Sequence, residues 1–215
     1  MNKETNRVIR MTGFALIVAG ILLAAQAFFM YLAQNPPSDV AALQSWLSSG
    51  KQSLMIANEL LFFAAVAIVV VLIGLYKLLA KNAPLLAMTG SSLLGIATVL
   101  LFVLCVIQGR MVYPVFGQVL TGENMILVTS LFYGGLHTVY LLLAGASLAL
   151  GTAMSRSGYG SYAKYIGTFS AVAAIVAAYP WAITSLTMFA AQIVVTLWFA
   201  YTGMNLVTAA QAKDS

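Results

Sequence analysis

Tyr133, His137 and Tyr140 are the residues of this sequence best placed to do chemistry together. They fall at i, i+4 and i+7, so on a helix they share one face. They belong to the run SLFYGGLHTVYLLLAGASLALG at 130–151, which is apolar enough to cross a bilayer, and His137 is the sole histidine of the chain. An ionisable group at membrane depth is costly and marks a functional position by default. An imidazole can exchange a proton near neutral pH. It can equally be a neutral group that bonds a neighbouring helix. The sequence leaves both readings open.

Four more polar residues fall in apolar runs: Gln26, Glu59, Arg110 and Gln192. Counting helical rise from Leu54 and Met125 puts Glu59 roughly 8 Å and His137 roughly 18 Å below the same membrane face. Gln26 and Gln192 fall in the same half of the bilayer, and Arg110 lies at its rim. Together with Tyr133, His137 and Tyr140 these residues outline a cavity open to the outside. Glu59 is the costliest of them in lipid, so it is expected to face the bundle interior. Water, Arg110 or a ligand would then bridge it to His137, without direct contact between the two. A structural pair of Glu59 with Arg110 or Asn58 is the plainer alternative.

Other chemistries lack their parts. One histidine and the single cysteine, Cys105, do not make a metal site of three protein ligands or a disulfide framework. No GxSxG or SxxK nucleophile motif occurs, and Gly158-Tyr159-Gly160 lacks the strand–turn–helix setting of a phosphate loop. No catalytic residue and no cofactor is assigned. The enzyme reading, with Glu59 and His137 as acid–base partners, ranks last.

The elements that must hold these residues follow from composition. The chain has 215 residues, 62% of them hydrophobic and 7% charged, against about 25% charged in a soluble domain. So much apolar surface in so short a chain needs lipid as its solvent. A bilayer core about 30 Å thick takes roughly 20 apolar residues per helix. Six runs qualify, at 11–33, 54–80, 85–108, 125–153, 165–183 and 186–208. The expected fold is all-α, a polytopic membrane protein in which residues 1–215 form a single integral-membrane domain. The first run is too long for a signal-peptide core and is kept as a helix. Ser38 caps a separate short helix at 39–47, whose Val40, Leu43, Trp46 and Leu47 lie on one side, as in a helix lying in the headgroup layer.

The net charge of +5 is explained by its distribution and does not indicate nucleic-acid binding. With the N-terminus inside, Lys3, Arg7, Arg10, Lys77, Lys81, Arg156, Lys164 and Lys213 are cytoplasmic, and only Lys51 and Arg110 are outside. Eight against two obeys the positive-inside rule and puts both termini in the cytoplasm.

A spacing of 77 recurs along the chain. Met11-Thr12-Gly13 returns as Met88-Thr89-Gly90 and the same step reaches Gly167; Pro37, Leu43 and Gly74 map onto Pro114, Leu120 and Gly151. The implied unit is a helix hairpin repeated three times, with any cavity near the pseudo-axis. Small pairs at four-residue spacing, such as Gly145/Ala149 and Gly167/Ala171, are packing devices.

Several short pieces together carry a resemblance: Ser49 to Lys51, Glu59 early in the second helix, LYKLL at 75–79, Leu136-His137, and Ser157-Gly158. Over nearly its whole length the chain resembles the bacterial membrane family catalogued as domain of unknown function 4386. That resemblance implies a multi-pass protein of the bacterial inner membrane and supplies no catalytic residues. The residues themselves suggest a binding or transport module for a small amphipathic or apolar molecule. Its partners would be membrane lipid, such a ligand and further copies of the chain. A structural, accessory or immunity role is the alternative. Reporter fusions after Lys81 and Ser157 are expected to read cytoplasmic, and fusions after Ser49 and Gly122 external; one inverted reading overturns the topology.

Overall fold

The computed structural model describes residues 3–212. Lys213 and the side chain of Lys3, counted above among the basic residues, lie outside the described residues. Six helices follow one another: α1 Lys3–Ala33, α2 Val40–Leu79, α3 Pro84–Val112, α4 Gly122–Arg156, α5 Ala163–Ala177 and α6 Ser185–Gln211. Beyond one isolated bridge between Val115 and Gln118, the described residues hold no strand. Five helices are long and apolar enough to cross a membrane, and α5 is apolar but shorter. Large apolar side chains such as Ile73, Leu85 and Val106 face outward along the bundle. That surface suits lipid, in which only structures with internally satisfied backbones are stable.

Each helix packs on its neighbours in sequence, α6 closes back onto α1, and α2 also touches α4. The hairpins α1–α2, α3–α4 and α5–α6 therefore form a ring. One end carries the start of α1, the end of α6 and the loops after α2 and α4, and is called the terminal end; the loops after α1, α3 and α5 lie at the far end. At the terminal end Lys77 Nζ meets Glu4 Oε1 at 3.2 Å, the one salt bridge among the described residues. It is exposed and adds little to stability.

Several helix crossings lie over glycine. A Cβ at Gly203 would lie 2.6 Å from the Gly13 carbonyl oxygen, and one at Gly167 would lie 2.5 Å from the Ser147 carbonyl oxygen. Bare backbones thus bring α1 to α6 and α4 to α5 into dispersion contact, which drives helix association in lipid. Gly13, Gly90 and Gly167, the positions linked by the 77-residue step, all lie at crossings. Gly13 and Gly167 face the preceding helix of the ring, whereas Gly90 faces Leu150 of the following one. The three hairpins are alike in arrangement but not contact for contact.

Two elements differ from the sequence expectation. The short helix at 39–47 is not separate: it is the start of α2, which runs unbroken for 40 residues, about 60 Å. Ser48 and Ser49 do not interrupt it; their hydroxyls are satisfied within the helix, donating back to the carbonyls of Gln44 and Trp46. Trp46 is not at a lipid interface alone, since its indole N–H donates to the Ala33 carbonyl at 2.6 Å and so pins the start of α2 to the end of α1. The second difference is α5, which ends at Ala177 instead of 183. Pro180 has no N–H to continue the ladder and disfavours helical geometry at Tyr179. At 15 residues, α5 covers only about 22 Å.

The crossings yield a stability prediction. Gly167→Ala and Gly203→Ala should each lower stability by about 1–3 kcal/mol through overpacking. Gly95→Ala, where an added Cβ meets nothing within 4 Å, should be neutral or stabilising. Thermal unfolding in detergent compares the three.

Candidate functional site

His137 lies on α4 beside the point where α5 stops. In a continuing helix the Ala178 carbonyl would accept from the N–H of residue 182, but Ala182 bonds Tyr179 instead. The His137 Nδ1 atom lies 2.6 Å from this freed oxygen. A carbonyl only accepts, so Nδ1 carries the hydrogen and donates it. A helix end that Pro180 leaves unsatisfied is thus completed by a side chain from the neighbouring α4. The imidazole also packs against the rings of Tyr179 and Trp181, with centroids 5.1 and 5.4 Å away.

Tyr140, one turn deeper, is buried and accepts a hydrogen bond of 2.7 Å from the Gln192 amide of α6. Beside this pair lies a small void of about 30 Å³ lined by Gln26, Tyr140, Gln192 and Thr196 among apolar side chains of α1, α2, α3, α4 and α6. Gln26 is buried with them. Such a void has room for a water molecule and the polar groups to hold it. Four of the residues singled out by sequence, Gln26, Tyr133, Tyr140 and Gln192, therefore lie along the bundle interior, as does His137 through its bond to α5.

Glu59 and Arg110 do not join them. Glu59 is exposed, not turned inward, and accepts a 2.7 Å hydrogen bond from the Tyr113 hydroxyl at the end of α3. This bond, with burial and the carboxylate's charge, raises the pKa of the Tyr113 phenol. It therefore remains a donor. Arg110 donates from Nη1 to the Gln118 carbonyl at 3.1 Å and steadies the loop after α3. Arg110 therefore pairs with neither Glu59 nor His137 among the described residues. The phenol offers Glu59 a partner near the end of the bundle, where a carboxylate costs less than at mid-membrane.

A cavity of about 560 Å³ opens at the far end. The loop after α1 supplies Asn35 and Pro37, α4 supplies Ile126, Thr129 and Tyr133, and the turn after α5 supplies Trp181. The loop is fixed in place: the Asn35 side-chain amide donates to the Ile183 carbonyl at 3.0 Å, and its backbone N–H donates to Ser185 Oγ at 3.0 Å. Of the residues chosen from sequence, only Tyr133 lines this cavity; His137 stands behind its wall, against Trp181. Tyr133 and Asn35 also border a void of about 20 Å³ that continues to Gln192. Thr129 was discoverable, since it precedes Tyr133 by four residues on the same helical face. Asn35 and Trp181 carried no such signal, because their positions depend on how two turns meet.

Among the described residues no three of His, Cys, Asp and Glu converge as a metal site would require. Comparisons with protein-family models, curated proteins and solved structures return no match.

The bonding pattern separates glue from surface. His137→Leu and Gln192→Leu each leave a buried polar group unpaired and should cost about 1–3 kcal/mol. Glu59→Gln keeps an acceptor for Tyr113 on an exposed side chain and should stay within about 0.5 kcal/mol of the wild type. Thermal unfolding of the three variants in one detergent checks the order.

Proposed function

We propose that this chain is a multi-pass protein of a bacterial inner membrane, with both termini cytoplasmic and the far end facing outward. It acts as a binding or transport module for a small, neutral, amphipathic molecule. The orientation rests on the eight-to-two distribution of basic residues, and the bacterial setting rests on the family resemblance. The far-end cavity carries the ligand reading. Its volume of about 560 Å³ falls within the 300–1,000 Å³ common for small-molecule sites. No charged side chain lines it, while Asn35, Ser38, Thr129, Ser130 and Tyr133 offer neutral polar groups among apolar walls. Such a lining suits hydroxyl or ester groups attached to an apolar body.

A structural or accessory role is the second reading, and one observation favours it. His137, Tyr140 and Gln192 already spend hydrogen bonds on joining helices. An enzyme is the weakest reading, because Glu59 and His137 are held by different partners on different helices.

The test is ligand-dependent stabilisation in nanodiscs by a series of medium-chain glycerol esters and alkyl glucosides. A ligand at a hundred times its dissociation constant should stabilise the wild type by about 2.7 kcal/mol. Gly134→Trp, which projects an indole into the cavity from a position with nothing within 4 Å of its Cβ site, should abolish the effect. No shift across the series, or equal shifts in both proteins, would leave the accessory role as the standing account.

A further inference from the structure

Ten residues of the chain are Lys or Arg, and among the described side chains only Lys51 and Arg110 belong to the far end. Both line a single cleft of about 200 Å³ between the start of α2 and the loop after α3. This is a different cavity from the one above, on the other side of the 40–48 stretch of α2: Leu43 faces the first and Leu47 the second. No acidic side chain lines the cleft. Neither cation has a carboxylate partner, since the salt bridge among the described residues is at the terminal end. Arg110 uses one Nη hydrogen on Gln118 and keeps further donors of its planar fork. The remaining lining is mostly apolar, including Leu47, Met111, Val119 and Leu120. Tyr113, held at 2.7 Å by Glu59, closes one side.

Two cations without a carboxylate partner beside an apolar lining match a molecule with an anionic head and an apolar chain. We propose that this cleft is a binding site for a phosphate-bearing anionic amphiphile, the headgroup held by Lys51 and Arg110 and the chain lying along Leu47 and Val119. Arginine forks pair with phosphate oxygens in two-point geometry and lysine adds a point charge. Charge alone would also admit free phosphate, but the apolar lining favours a lipid.

Dissociation constants in neutral-detergent micelles test this with three probes: dihexanoyl phosphatidylglycerol, dihexanoyl phosphatidylcholine and inorganic phosphate. The anionic lipid is expected to bind most tightly and to weaken as salt rises. Lys51→Gln is expected to weaken it about fivefold, a surface cation's worth, while Lys51→Arg keeps it. Lys51 is exposed and no fold contact depends on it, so its variant is informative even where Arg110→Gln disturbs the loop. Gly134→Trp is expected to leave this binding unchanged, which separates it from the far-end cavity. Equal binding of the two lipids, or no effect of Lys51→Gln, would overturn the site. Inorganic phosphate displacing the lipid at equal concentration would overturn the lipid assignment in favour of a free anion.

Discussion

In hydrocarbon there is no water to satisfy a backbone carbonyl, and the His137–Ala178 hydrogen bond is where this structure meets that constraint most sharply. Pro180 stops α5 early, and a stopped helix exposes carbonyls that cost several kcal/mol each if left unpaired in lipid. The imidazole of α4 supplies the missing donor at 2.6 Å. The bond thus permits α5 to be short, and it fixes α4 against α5 at the same time. The glycine crossing at Gly151 and Gly167 lies on the same pair of helices toward the terminal end. One contact is polar and specific, the other apolar and close, and together they fix the relation of α4 to α5.

The polar residues find partners in more than one way. Gln192, deep in the bundle, bonds across helices to Tyr140, whereas Thr98 and Ser147 turn back onto their own helices. Glu59 and Arg110, nearer an end, find partners in Tyr113 and Gln118. Lys51 and Arg110 have no carboxylate partner among the described residues, and their charges stay available to a ligand.

Helix number and type were legible in the sequence because apolar length is a direct consequence of bilayer thickness. The shared face of Tyr133, His137 and Tyr140 was legible because helical period is local. The end of α5 was also written locally, in Tyr179-Pro180-Trp181, although the apolar run continues past it to 183. The continuity of α2 was harder to read, since Ser48-Ser49-Gly50 resembles a break until the serine hydroxyls turn back onto the helix. The direction of Glu59 was not legible. Burial cost says a carboxylate needs a partner, but only the folded loop reveals that Tyr113 is nearer than any cation. The cavity residues Asn35 and Trp181 depend on turns meeting from different hairpins, and no local pattern encodes that.

The far-end cavity is a geometric consequence of two helices of unequal reach. α5 stops about 8 Å short of a full hydrocarbon crossing, and its chain returns through Pro180 and Trp181 instead of filling the space above. α2 does the opposite and projects well past the ends of its neighbours, held upright by Trp46 on the last turn of α1. A short helix on one side and a long one on the other leave a recess that the Asn35-Pro36-Pro37 loop walls but does not fill. Two prolines remove backbone donors from that wall, so the polar groups offered to an occupant are mainly side-chain hydroxyls and the Asn35 edge. Were α5 to run on to 183, His137 would lose its acceptor and Trp181 its place in the wall. The recess and the histidine bond are therefore products of the same interruption.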